Sequence, residues 1–195
     1  MFNLPLAHTA GQGNNNPLAC FQIDEYLDDS SELHEVINSN VIQTVAGGGN
    51  RTGFDLHRKE IGTVDRLLSF IMSKVPEVAH RFTSERPYHP DNYTPQYMEG
   101  GGEHSFNING FKLAEVWGIV YNAGDGVIRH NHYPYALSFC YYANVPDDSA
   151  PFVLEGIQIP PKTGTVIFFL PHLYHWVPPT HSNGRSVITG NISYG

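Results

Sequence analysis

Two imidazoles stand two residues apart in the stretch His130-Asn131-His132. In an extended strand the side chains at i and i+2 leave the same face, so the pair can grip one metal ion. Alone it says little: a chain with 11 histidines produces an H-x-H by chance, and the default reading is two surface histidines at a strand end. The C-terminal segment shifts that balance. His175 follows the apolar run GTVIFFLP at 164–171, and Arg185 comes ten residues after it, with Pro178 and Pro179 turning the chain between them. No other histidine has comparable spacing. His172 suits a polar loop, His181 lies in the turn-rich PPTHSNG, and His8, His34, His57, His80, His89 and His104 are isolated. Asp125, five residues before His130 across a Gly turn, is badly placed to ligate. Arg129 has the opposite strand parity to His130 and reads as a surface charge.

Strands must carry these residues. KLAEVWGIVYNAG (112–124), YALSFCYYANV (135–145), GTVIFFLP and RSVITGNISYG (185–195) are short apolar or alternating runs separated by Gly and Pro turns. Strands at such spacing without intervening helices predict a sandwich or barrel of the jelly-roll kind. In the second run Phe139 and Tyr141 alternate against Tyr142 and read as packing residues. Upstream, LACFQIDEYL (18–27) alternates as a first strand, and Asp29 with Glu32 three residues later has the form of a capping box for a short helix through about Ile37. AGGGNRTG at 46–53 interrupts the chain. Val64, Leu67, Leu68, Ile71, Val75, Val78 and Phe82 step by three and four along one helical face, a stripe that predicts core packing. Pro76 inside it removes a backbone donor, so a kink or restart is expected near Val75. Residues 86–110 are rich in Pro, Gly and Tyr and have no period; their length and the run Gly100-Gly101-Gly102 predict a mobile lid.

Length and composition bound the rest. With 195 residues the chain fits one domain, 18–195, behind a flexible polar leader at 1–17. That domain divides into a helical support layer at 18–85, the lid at 86–110 and a β core at 111–195. Net charge is −8, and 7 basic against 14 acidic residues lie in 1–110. A nucleic-acid binder would carry a basic face, so that class is excluded. Cys20 and Cys140 are too few for a disulfide framework and match no zinc spacing, which suits buried thiols in a reducing compartment. No apolar run reaches the ~18 residues of a membrane span, and the first residues lack the basic and apolar regions of a signal peptide. The expected protein is soluble and cytoplasmic, with no membrane partner.

The order of an H-x-H pair, a G-x-V-x-F-F strand, a lone His and an Arg about ten residues later resembles the iron(II)/2-oxoglutarate-dependent oxygenases, particularly their prolyl-hydroxylase-like branch. YNAGDGVIRHNHYP (121–134) resembles that branch's Tyr, Gly-rich turn, Arg and His-x-Asp; SFCYYANV (138–145) its Thr-x-x-Tyr-Tyr strand; and HWVPPTHSNGRSVIT (175–189) its His-x-Val-x-Pro and Arg-x-x-x-Thr ending. The resemblance covers about the last 80 residues, and the first 110 add a compatible helical layer.

The resemblance implies a double-stranded β-helix, a mainly β jelly roll supported by N-terminal helices. It makes His130 and His175 metal ligands and puts His132 where the family normally holds an Asp. Arg185 would pair with the distal carboxylate of 2-oxoglutarate, Tyr142 would donate its hydroxyl to the same group, and Tyr121 and Thr189 would line the co-substrate pocket. Three ligands on one face leave three positions of an octahedral iron open, two for the oxo-acid and one for dioxygen. Ascorbate is an admissible accessory reductant. The implied reaction is hydroxylation of an unactivated C–H bond in a peptide or small molecule, a prolyl residue being the first guess, with release of succinate and CO2. At the level of sequence His132 stays open between a third ligand and a neighbour of the site. Two other functions also stay open: a cupin-like three-histidine dioxygenase without 2-oxoglutarate, and a jelly-roll binding module without turnover.

Overall fold

The computed structural model describes residues 20–24, 29–84 and 110–195. The expected leader, and the expected lid apart from Gly110, lie outside the described residues. The chain runs through strand β1 (Cys20–Asp24), helix α1 (Ser30–Ser39), the short strands β2 (Gln43–Thr44) and β3 (Asn50–Arg51), and helix α2 (Gly62–Ser84). It continues with β4 (Phe111–Tyr121), β5 (Val127–His130), β6 (Leu137–Asn144), β7 (Phe152–Leu154), β8 (Ile157–Ile159), β9 (Thr165–Phe169), β10 (His175–Val177) and β11 (Arg185–Tyr194). One sheet has the order β1-β9-β6-β11-β4-β3-β2, the other β5-β10-β7-β8. Two facing antiparallel sheets, between which the chain alternates from β4 to β11 apart from the paired strands β7 and β8, make a double-stranded β-helix, as expected.

Side-chain parity builds two cores. Val116, Val120, Phe139, Tyr141, Val166, Phe168, Ile188 and Ile192 leave one face of the large sheet and meet Leu33 and Ile37 of α1 and the stripe of α2. All seven stripe residues from Val64 to Phe82 are buried there. Trp117, Ile119, Tyr121, Cys140, Tyr142, Ile167, Phe169 and Val187 leave the other face and meet Phe152, Leu154, Ile159 and Val177 of the small sheet. Strands sandwiched in this way are buried on both sides, which is why β6 and β9 read as nearly continuous apolar runs.

Two local expectations are corrected. The helix α2 continues through Pro76 and neither ends nor restarts at Val75, because its buried stripe outweighs the single missing donor. Asp29 is the N-cap residue of α1 but makes no side-chain capping bond; its carboxylate instead accepts from Arg66 Nε and Nη2 at 3.0 and 2.9 Å, tying α1 to α2. The strand expected within 18–27 is β1, at one end of the large sheet, and β2 and β3 extend that sheet at its other end.

Glycine makes one close approach that packing requires. A Cβ on Gly190 of β11 would stand 2.6 Å from the carbonyl oxygen of Glu115 and 2.7 Å from the Phe139 ring. Neither neighbour can retreat, one being backbone in the paired strand and the other fully buried. Gly190→Ala is therefore expected to destabilise the chain by about 1–3 kcal/mol despite the lower entropy of its unfolded state. A lowered urea midpoint at unchanged m-value would register this; an unchanged midpoint would mean that the strands adjust freely.

Candidate metal centre

The small sheet sets the first pair of imidazoles by register. His130 is the last residue of β5 and His175 the first of β10, and the two are direct Cα partners in the antiparallel ladder. His132 reaches the same place differently. It lies beyond the end of β5, so the i, i+2 parity of a strand does not orient it. Its backbone N–H bonds the Pro171 carbonyl at 2.7 Å just past β9, which turns the ring inward. The three ring centroids are 4.3, 4.8 and 5.0 Å apart, and the three prospective ligand atoms lie within 4.8 Å of one another.

Hydrogen bonds behind the rings decide which nitrogen faces the centre. Nδ1 of His130 donates to the Ile128 carbonyl at 2.8 Å, and Nδ1 of His175 to the Leu173 carbonyl at 3.1 Å. Nδ1 of His132 donates to Oδ1 of Asn191 at 2.8 Å. Each acceptor is an oxygen without a proton, so each Nδ1 carries the hydrogen and each Nε2 keeps its lone pair. Nε2 of His130 and Nε2 of His132 then face each other at 3.1 Å with no hydrogen between them. Two lone pairs at that distance call for a shared cation, and cis nitrogens around a first-row metal ion stand about 3 Å apart. The donor set therefore fits a divalent metal, with oxygens behind every ring as such sites require.

Burial keeps the donors ready. Desolvation, followed by repulsion from His130, holds the His132 imidazole down at about 4. Desolvation, with His130 and His132 adding to it, holds His175 at about 3. Both rings are thus neutral at pH 7, and metal has no proton to displace from them. The same shifts have a consequence for the metal-free chain. Unfolded imidazoles titrate near 6.5, so between about pH 6.5 and 4 the unfolded state binds protons that the native state does not. Stability from these groups is full above pH 6.5 and falls as pH drops, by up to about 1.4 kcal/mol per pH unit for each titrating ring. The melting temperature in chelator should decline from pH 7 to 5, and should decline less steeply in the double variant His132→Gln, His175→Gln. Parallel profiles for the two chains would exclude this account.

The inner face of β11 supplies the rest of the cavity. Its walls include Trp117, Ile119, Tyr121, Phe152 and Phe169, with the three histidines, Thr189 and Arg185 among them. Arg185 is 1% exposed, yet its Nε and Nη1 have no hydrogen-bond partner among the described residues, and its Cζ lies 5.1 Å from the Tyr121 ring and 5.6 Å from that of Tyr142. A buried guanidinium without an anion is costly, and here it opens onto the cavity that holds the imidazoles. Burial pushes the Tyr121 phenol up against the opposing pull of Arg185, so it stays a neutral donor. Thr189 spends its hydroxyl hydrogen on the Phe139 carbonyl at 2.7 Å and presents its remaining surface to the cavity. Tyr142 is fully buried beside Arg185 but is not among the lining residues. Cys140, pushed up to about 12 by burial, is a wall thiol without nucleophilic character at neutral pH.

Residues set aside in the sequence fall where they were expected. Arg129 sits outside the cavity, stacked 3.9 Å over the Tyr174 ring and 3.8 Å from Glu155. Asp125 accepts from the Asn122 amide at 2.8 Å and is not one of the clustered donors, nor is His172. Asn191, Ser138 and Glu115 were missed. The signal for Asn191 was available in β11, where Arg185, Val187, Thr189 and Asn191 alternate onto one face, but an amide carries no metal-ligand spacing of its own.

No protein-family model and no curated protein matches the sequence. Solved structures do. A Pseudomonas putida prolyl-4-hydroxylase superposes with a TM-score of 0.63 at 15% identity, covering 91% of this chain and 93% of its own. A Trichoplax adhaerens prolyl hydroxylase, in complex with a peptide fragment of the hypoxia-inducible factor oxygen degradation domain, gives 0.60 at 18% identity, over 90% and 83%. The non-haem α-ketoglutarate-dependent epimerase SnoN from nogalamycin biosynthesis gives 0.59 at 12% identity, over 89% and 76%. At such identities the likeness lies in the fold, which this chain shares along nearly its whole length with proteins of differing chemistry.

Proposed function

We propose that this chain is an Fe(II)- and 2-oxoglutarate-dependent oxygenase. The observation that carries the reading is the buried guanidinium of Arg185, with two nitrogens that have no hydrogen-bond partner among the described residues, in the same cavity as three convergent imidazole nitrogens. His130, His132 and His175 would hold the iron through Nε2, and Arg185 would bind the distal carboxylate of 2-oxoglutarate, with the Tyr142 phenol beside it. Tyr121 and Thr189 would border the co-substrate, while Trp117, Phe152 and Phe169 exclude water from it. Bound iron would supply the reaction of 2-oxoglutarate with dioxygen to give succinate and CO2, with the second oxygen atom entering a substrate C–H bond as a hydroxyl group. Among substrates, a prolyl residue in a peptide is the first to test, since two of the structural neighbours are prolyl hydroxylases and one of those was solved with a peptide. Small molecules come next, because the epimerase SnoN has a similar fold and was also solved with iron, α-ketoglutarate and nogalamycin RO.

Anaerobic titration with Fe(II) and then 2-oxoglutarate tests the reading. Chelation of iron by the oxo-acid should produce a visible charge-transfer band, and air should convert 2-oxoglutarate to succinate. Iron binding and oxygen consumption unaffected by 2-oxoglutarate would point to a cupin-like three-histidine dioxygenase. That outcome would leave the buried Arg185 without a ligand. Metal binding with neither band nor turnover would point to a binding module.

A further inference from the structure

The side chain of Asn191 stands between His132 and Glu115. Its Oδ1 accepts from Nδ1 of His132 at 2.8 Å and from the Ser138 hydroxyl at 2.8 Å, and its Nδ2 donates to Oε2 of Glu115 at 3.2 Å. A carboxamide has one accepting and one donating end, and a half-turn exchanges them. If the donating end faced His132, Nδ1 of that ring would have to accept, and its hydrogen would move to Nε2. The ring would then offer a hydrogen, not a lone pair, to the centre. Of the groups around the amide, His132 and Ser138 can each serve as donor or acceptor. Glu115 cannot, because an ionised carboxylate only accepts.

We propose that Glu115 is a positioning residue that sets the tautomer of His132 through Asn191, and so makes His132 a metal ligand. Glu115 fixes the amide, the amide fixes the hydrogen on Nδ1, and Nε2 is left bare 3.1 Å from Nε2 of His130. The register of the large sheet builds the chain of contacts, since Glu115 of β4, Asn191 of β11 and Ser138 of β6 are successive cross-strand partners. The proposal also explains how this chain tolerates an imidazole at position 132. A carboxylate ligand binds metal through either oxygen and has no tautomer to set, whereas an imidazole needs an acceptor of fixed sense behind it. The proposal rests on the metal-centre reading for its consequence, but the tautomer itself exists in the metal-free chain and is measured there.

The experiment uses the full chain with 15N-labelled histidine. Long-range 1H–15N correlation spectra of the metal-free protein report which ring nitrogen of His132 carries hydrogen, and titration with Co(II) or Fe(II) alone reports affinity. The parent should show hydrogen on Nδ1. Glu115→Gln retains a carbonyl acceptor and should keep that tautomer, with affinity within about threefold. Glu115→Lys offers only donors, so the amide should turn, the hydrogen should move to Nε2, and affinity should fall by tenfold or more, on the scale seen for groups behind metal ligands. Adding Asn191→Asp to Glu115→Lys supplies an acceptor toward both neighbours and should restore the Nδ1 hydrogen and most of the affinity. A His132 that keeps its Nδ1 hydrogen in a folded Glu115→Lys chain would overturn the proposal, as would a double variant that stays on Nε2. A parent chain that binds neither ion would instead overturn the metal-centre reading, leaving the tautomer measurement to stand or fall by itself.

Discussion

Replacing Arg185 by methionine should weaken the response to 2-oxoglutarate at least about 30-fold while leaving the metal-free protein at least as stable as the parent. The two halves of this result have one cause. The guanidinium is 1% exposed, and two of its nitrogens have no hydrogen-bond partner among the described residues, so it bears a desolvation cost that its contacts with the Tyr121 and Tyr142 rings offset only in part. An apolar side chain of similar length removes that cost and fills the same space among Tyr121, Tyr142 and Val187. With 2-oxoglutarate present the balance reverses, because a carboxylate supplies the missing charge. Losing one partner of such a desolvated pair costs about 2 kcal/mol or more, so the apparent requirement for 2-oxoglutarate should rise at least about 30-fold. Iron affinity should hardly change, since Arg185 is not among the clustered donors. Thermal melts with and without 2-oxoglutarate and a metal titration measure all three quantities. A methionine variant that melts well below the parent, or that responds to 2-oxoglutarate at the parent's concentrations, would mean that the guanidinium serves the fold and not a ligand.

Removal of the His132 ring should have the next largest effect, this time on the metal. His132→Ala deletes one of three convergent nitrogens and leaves Nε2 of His130 without the neighbour at 3.1 Å. Iron affinity should fall at least tenfold, with the fold intact, because the alanine keeps the backbone bond to Pro171 and the ring gives up only its contacts with Asn191, Ser138 and His130. His132→Asp should retain metal, since a carboxylate is an ordinary oxygen ligand for iron and lowers the charge of the centre. It should also change the second step of the titration, as a less positive iron holds the oxo-acid less strongly. Equal iron affinity in His132→Ala and the parent would mean that His130 and His175 carry the ion unaided.

Several features of this protein were legible because they are local. The stripe from Val64 to Phe82 repeats with the helical period, and all of it is buried, so the sequence located α2 without any knowledge of its partners. The apolar runs after residue 110 became strands for a similar reason, and the alternation of Phe139 and Tyr141 against Tyr142 assigned their opposite faces in advance. Where local rules competed with distant ones, the distant ones prevailed. Asp29 has the form of a cap, but Arg66, 37 residues away, takes its carboxylate. His130 and His132 have the spacing of a strand pair, yet one ends β5 and the other lies beyond it, and the Pro171 carbonyl turns the second ring inward.

By itself, then, the sequence determined the donor types, the order in which they occur and the strands that carry them, because residue identity and short-range periodicity are properties of contiguous chain. Tertiary structure alone decided that His175 stands opposite His130, that Arg185 is buried with two nitrogens unbonded among the described residues, and that Asn191 lies behind His132 with its amide turned toward Glu115. Each of these depends on register between strands far apart in the chain. Register follows from which faces of the two sheets are buried together, a property of the whole packed core that no single segment encodes.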